Sequence, residues 1–127
     1  MRFRPEQHLR RPGEIRAVRE EGRRVDCRAF TLWWKRRENS PTPAPPNEPS
    51  RVCVIASKAA VGGATHRNRA KRRLREVYRH EQNHVPPACD LLLIARAAVN
   101  AWPMPELQKK FTDACRQIAA VAATEPK

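Results

Sequence analysis

The sequence predicts an α+β fold, a two-layer sandwich with helices packed on a small sheet. Three patterns predict it: strand-like alternation around residues 28–35, two short apolar runs at 51–57 and 90–95, and helical periodicity between and outside those runs. At 127 residues the chain fits a single domain, 1–127, with one modest core.

The first eight residues are basic and are expected to be mobile. PGEIRAVREEG then reads as a short helix, with Pro12 and Glu14 as opening residues, Ile15 and Val18 as an i, i+3 apolar contact, and Gly22 as the stop. RAFTLWWK (28–35) alternates, placing Phe30, Leu32 and Trp34 on one face and Thr31, Trp33 and Lys35 on the other. Trp33 therefore belongs to the more polar face of a half-buried strand. Residues 38–50 contain five prolines and no large apolar residue, so they read as an extended, solvated loop within the domain.

RVCVIAS (51–57) and DLLLIA (90–95) are nearly continuous apolar runs, the pattern of strands covered on both faces or central in a sheet. Between them a helix is expected after Gly62-Gly63, with Thr65 as N-cap, running to the Pro86-Pro87 break. At about 100° per residue, Ala70, Leu74, Val77 and Tyr78 share one stripe, and Asn68, Arg72, Arg75 and Arg79 lie roughly opposite. A last amphipathic helix opens near Pro105-Glu106 and sets Leu107, Phe111, Ala114, Ile118 and Val121 or Ala122 on its inner side.

Charge points to the partner. The chain carries 26 Lys+Arg against 13 Asp+Glu, a formal charge of +13. Residues 51–79 hold nine basic groups and one acidic, whereas 80–127 are balanced at five of each. Seven of the fourteen residues from His66 to Arg79 are Lys or Arg, a density whose self-repulsion an anionic partner would offset. Arginine predominates, which suits bidentate phosphate contacts and stacking on bases. The glycine pair before this helix is equally a tight turn or a way to present N–H groups to phosphate.

Other classes are disfavoured. Cys27, Cys53, Cys89 and Cys115 are widely spaced, with no C-x-x-C pair and no His at ligand spacing, and read as reduced core residues of a cytoplasmic protein. No run approaches the roughly 18 apolar residues of a membrane span, and no membrane role is expected. No base–nucleophile or paired-carboxylate arrangement appears, so no catalytic residue is assigned to the protein.

The stretch RVCVIASKAAVGGATHRNRAKRRLREVYR resembles the signature of the bacterial ribonuclease P protein family: a strand ending in Ser-Lys, a glycine turn, and a helix opening R-N-R-x-K-R-x-x-R. The likeness extends to LRRPGEIRAVREEGRR, AFTLWW and DLLLIAR with its closing Arg96, roughly residues 9–121. It implies the order α-β-β-β-α-β-α with a left-handed strand–helix–strand crossover, against the usual right-handed preference. The implied function is that of the protein subunit of ribonuclease P, an endoribonuclease that removes the 5′ leader of precursor tRNA, with catalysis by the RNA subunit. The implied partners are ribonuclease P RNA and precursor tRNA, with no obligate protein partner. Mg²⁺ is the implied cofactor, bound mainly by the RNA.

Carried over by position, Lys58, Arg67, Asn68, Arg69, Lys71, Arg72, Arg75 and Arg79 are the RNA-binding candidates, and Asn68 is placed near a bound metal ion. A cleft between sheet and first helix would hold the leader, with Ile15, Arg19 and Trp33 lining it. Three departures stand out: Ile15 and Arg19 occupy positions where the family has aromatics, AAVGGATH has one extra residue before the RNR run, and the proline-rich connection is long. The competing readings are a ribosomal-type RNA scaffold, a major-groove DNA binder and a basic membrane-surface helix. The last two are disfavoured by the strand preceding the basic helix and by that helix's narrow apolar stripe.

Overall fold

The computed structural model describes residues 9, 12–36, 50–86 and 89–124. The expected mobile start and nearly all of the proline-rich loop lie outside the described residues, as does the side chain of Ala122. The elements run α1 (Pro12–Glu21), β1 (Arg23–Asp26), β2 (Phe30–Arg36), β3 (Arg51–Ile55), α2 (Lys58–Val61), α3 (Ala64–Glu81), β4 (Cys89–Ala95) and α4 (Met104–Thr124). Short 3₁₀ turns follow α3 (Gln82–His84) and β4 (Ala97–Asn100).

One four-stranded sheet of order β1-β2-β4-β3 forms the expected two-layer sandwich with α3 and α4, and α1 lies against the other face of the sheet. β2 is antiparallel to both β1 and β4, while β3 and β4 are parallel neighbours joined through α2 and α3. A parallel pair requires such a crossover, because a tight turn can only reverse the chain.

Alternation along the strands divides the side chains between two faces. Phe30, Leu32, Trp34, Val52, Leu91, Leu93 and Ala95 point to the layer of α3 and α4, where Ala70, Leu74, Val77, Leu107, Phe111, Ala114 and Ile118 complete the main core. Each large side chain buried there contributes about 1.5–3 kcal/mol. Tyr78 meets Phe111 edge-on at 6.4 Å, and its hydroxyl lies 2.5 Å from Ser50 Oγ. A buried phenol is thereby satisfied.

The opposite face packs against α1 and Leu9. Leu9, Val18 and Leu92 are buried there, with Ile15, Trp33, Cys53, Ile55 and Ile94 partly covered. Leu9 N–H donates to Val52 O (2.9 Å), which occupies part of the outer edge of β3. Gly22 ends α1 where the chain passes against β2: a Cβ there would sit 2.3 Å from Val18 O and 2.5 Å from Trp34 O. Only glycine permits that approach.

Several boundaries and placements differ from expectation. β4 is central and almost wholly buried, but β3 is an edge strand with only Val52 buried, although both runs are equally apolar. Of its half-covered apolar positions, Cys53 and Ile55 lie on the α1 face and Val54 on the main-core face, as the edge position of the strand leaves both faces incompletely covered. The strand expected from residue 28 begins at Phe30, and Arg28 lies in the preceding turn. β1 carries only Val25 inward, so alternation did not mark it. Thr65 is not the N-cap: Gly63 occupies that place without a side-chain bond, and Thr65 lies inside the first turn. The reversal happens at Gly62, whose φ of 112° is open to glycine, immediately after the extra turn α2. α3 stops at Glu81, short of the Pro86-Pro87 break, and passes into the 3₁₀ turn.

Candidate nucleic-acid interface

Two surfaces collect the residues singled out by sequence. The first is the outer side of α3. Asn68, Arg69, Arg72 and Arg75 are exposed, Arg67, Lys71 and Arg79 are partly covered, and Lys58 is exposed at the start of α2. α2 exists because Ser57 Oγ caps it, accepting from Ala60 N–H at 3.1 Å. An ordered turn thus lies between Ser57 and the glycine pair that precedes the RNR run.

The arginines of α3 are not equivalent. Arg73 faces inward and donates from Nε to Val99 O (2.8 Å) and from Nη2 to Trp102 O, tying the helix to the segment after β4. Asn100 adds a bond to His66 O (3.1 Å). Arg79 is held two-handed by Glu76 at 2.7 and 3.2 Å, and that pairing draws the Glu76 carboxyl below its ordinary value. Arg67 places Nε in a buried position without a hydrogen-bond partner. Arg69, Arg72 and Arg75 are the exposed guanidiniums on this helix, so their charge is turned outward.

The second surface is the α1 face of the sheet. Trp33 stands partly covered at its centre, as alternation required, and the Arg19 guanidinium lies over its ring at 5.9 Å. That is cation–π distance. Ile15 lines the same apolar patch one helical turn away. The structure therefore brings Ile15, Arg19 and Trp33 together on one face of the sheet.

Ion pairs hold α1 over this face at both ends. Arg51 at the start of β3 binds Asp90 at the start of β4 through two bonds (2.8 and 2.7 Å) and reaches Glu14 of α1 at 2.8 Å. Bonding to Asp90 and then Glu14 keeps the Arg51 guanidinium charged against the opposing effect of burial. Lys35 approaches Glu21 at 3.8 Å near the other end. Sequence reading missed this clamp, although Arg and Asp open two parallel apolar strands, and their register pairs them. It also missed Arg24, which lies opposite Trp33 in the β1–β2 ladder and so shares its face.

Burial pushes the Cys53 thiol upward, and the charges of Arg75 and Lys71 oppose that push. Among the described residues no cluster of His, Cys, Asp and Glu could hold a metal ion, and no helix is long and apolar enough to cross a membrane.

The profile of the ribonuclease P family matches residues 3–119. This chain belongs to the ribonuclease P protein family. The ribonuclease P protein component of Chloroflexus aurantiacus is 34% identical over 116 residues, covering 91% of this chain and 79% of that protein. The corresponding protein of a Roseiflexus species is 29% identical over 118 residues, covering 92% and 89%. Solved ribonuclease P proteins share the fold. The Thermotoga maritima protein matches with a TM-score of 0.70 at 19% identity, over 87% of this chain and 96% of its own. A Staphylococcus aureus protein matches at 0.68 with 20% identity, over 89% and 94%. Membership gives the coarse role: this is a ribonuclease P protein component, a subunit of a ribonucleoprotein.

Proposed function

We propose that the chain binds the catalytic RNA of ribonuclease P through the outer side of α3 and grips the single-stranded 5′ leader of precursor tRNA along the α1 face. The observation that carries the second half is the partly covered Trp33 with Arg19 over its ring, set in an apolar patch under a clamped helix. A base displacing or flanking the guanidinium would stack on the indole, worth about 1–3 kcal/mol. Arg24 on the same face offers charge to the leader phosphates. The α3 surface supports the first half, because Arg69, Arg72 and Arg75 point outward with few acids near them.

In this reading the protein breaks no bond. Mg²⁺, when bound to the RNA, supplies the Lewis-acid chemistry of hydrolysis. Asn68 has an exposed amide whose oxygen is a hard ligand suited to that ion, but Arg67, Arg69, Lys71 and Arg72 surround it in sequence. Asn68 would hold a cation only together with RNA phosphates. The protein's contribution is to neutralise phosphates and to position the substrate in the cytoplasm, where the complex acts.

Reconstitution tests the reading. The purified chain is added to a bacterial ribonuclease P RNA at low Mg²⁺, and cleavage of a precursor tRNA is followed. Stimulated cleavage at the mature 5′ end is expected; tight RNA binding with no stimulation across several such RNAs would favour an RNA-scaffold role instead.

A further inference from the structure

Arg28 occupies the turn between β1 and β2 with φ of 67°, the one described non-glycine residue in the left-handed region. A side chain other than Gly, Asn or Asp is disfavoured there. The turn does not need arginine. The Arg28 N–H donates to Asp26 Oδ1 (2.8 Å), and the Arg28 carbonyl accepts from Arg96 Nη1 (3.1 Å), both through the backbone. Glycine would make the same two bonds without strain. The guanidinium itself is exposed and has no ion-pair partner among the described residues. A strained residue whose side chain contributes nothing to the fold suggests a use for that side chain.

Its surroundings indicate what the use is. Asp26, Arg28, Arg96 and Trp102 line an open hollow of about 580 Å³, within the size range of small-ligand sites. Trp102 forms one wall and is fixed from behind: its N–H donates to Ala98 O (2.9 Å), and its carbonyl accepts from Arg73 of α3. The Asp26 carboxylate, which would repel an anion, is answered by Arg96 at 3.2 Å. Arg28 is left as the cation without an ion-pair partner among the described residues in a hollow that Trp102 also lines. A planar base beside a phosphate matches that pair.

The hollow also has the right neighbours. The Asn100–His66 bond connects the segment before Trp102 to the first turn of α3, where the RNR run lies, and Arg73 ties Trp102 itself to the middle of that helix. On the other side Arg96 Nη2 donates to Thr31 Oγ1 (2.8 Å), and Thr31 shares the Trp33 face of β2. We propose that this hollow binds one unstacked RNA nucleotide, its phosphate on Arg28 and its base on Trp102. The inference rests on the RNA-binding role proposed above. The nucleotide could belong to the catalytic RNA or to precursor tRNA, and the test separates them.

Arg28→Gly in the full chain removes the guanidinium while accepting the left-handed backbone, so thermal stability is expected to hold or rise. Wild-type chain is first shown to bind ribonuclease P RNA and stimulate cleavage, which tests the role itself. The variant is then titrated against that RNA across a salt series, and its holoenzyme against precursor tRNA. Roughly five- to tenfold weaker binding in one arm, with a salt slope lower by about one, is expected and identifies the source of the nucleotide. Trp102→Leu, which keeps apolar bulk, should weaken the same arm about tenfold. Wild-type-like affinity and slope in both arms for a folded Arg28→Gly chain would overturn the inference while leaving the RNA-binding role intact.

Discussion

Within β2, Phe30, Leu32 and Trp34 are at most 4% exposed, whereas Trp33 between them is only partly covered. The same contrast holds for the whole sheet. The face toward α3 and α4 is closed by interlocking apolar side chains, while the face toward α1 has a small core of Leu9, Val18 and Leu92 rimmed by half-covered apolar residues and clamped by ion pairs. The first face supplies the burial that makes a domain of this size stable. The second can leave apolar and aromatic surface available for a ligand because it is not asked to supply that burial.

Substitutions should divide along this line. Phe111→Ala opens a cavity in the closed face and is expected to cost about 3–5 kcal/mol in denaturant unfolding. Ile15→Ala, on the open face, should cost less than about 1.5 kcal/mol, since its side chain is already half-covered. Equal losses would mean that the α1 face is an ordinary second core. Next in size is Arg51→Met, expected to cost roughly 3 kcal/mol by removing the guanidinium that pairs two-handed with the buried Asp90 carboxylate. Faster hydrogen exchange in α1 should accompany it, because Glu14 loses its anchor as well. Unchanged exchange there would show that the clamp does not hold the helix.

Much of this was legible in the sequence, for identifiable reasons. Alternation put Trp33 on the face opposite Phe30, Leu32 and Trp34, and helical spacing separated Leu74, Val77 and Tyr78 from Arg72 and Arg75, because both signals are repeated over several residues. The RNR run identified the family. What was hidden depends on pairing across the chain. Arg73 looks like its neighbours in sequence, but is used up on carbonyls 26 and 29 residues away. Arg19 gains meaning only from its place over Trp33. β3 and β4 are equally apolar runs, and only the strand order shows that one is an edge. Single-residue backbone choices, such as the left-handed Arg28, leave no periodic trace.

Smaller effects sharpen the contrast between surfaces. Arg72→Ala should lower the salt slope of RNA-subunit binding by about one unit, with unchanged folding, as expected for one lost phosphate contact. An unchanged slope would remove Arg72 from the interface. The thiols report the same division through reactivity. Burial pushes Cys27 and Cys115 up to about 12, so at neutral pH almost none of either is thiolate. Cys53, only half-buried on the α1 face, is raised less. Native alkylation followed by mass spectrometry should mark Cys53 first, faster as pH rises because the thiolate fraction grows. Labelling of Cys27 or Cys115 at the Cys53 rate would indicate that the closed face opens readily.

The central claim is that the two surfaces bind different RNAs, and the most direct measurement compares precursor with mature tRNA. Holoenzymes carrying wild-type chain, Trp33→Ala or Arg72→Ala, each at saturating protein, are titrated with both tRNAs. Trp33→Ala should lose about 1–3 kcal/mol of precursor affinity and none for mature tRNA, while Arg72→Ala leaves the ratio of the two affinities unchanged. Equal loss for both tRNAs on Trp33→Ala would make the indole a structural residue and contradict the assignment of the α1 face to the leader.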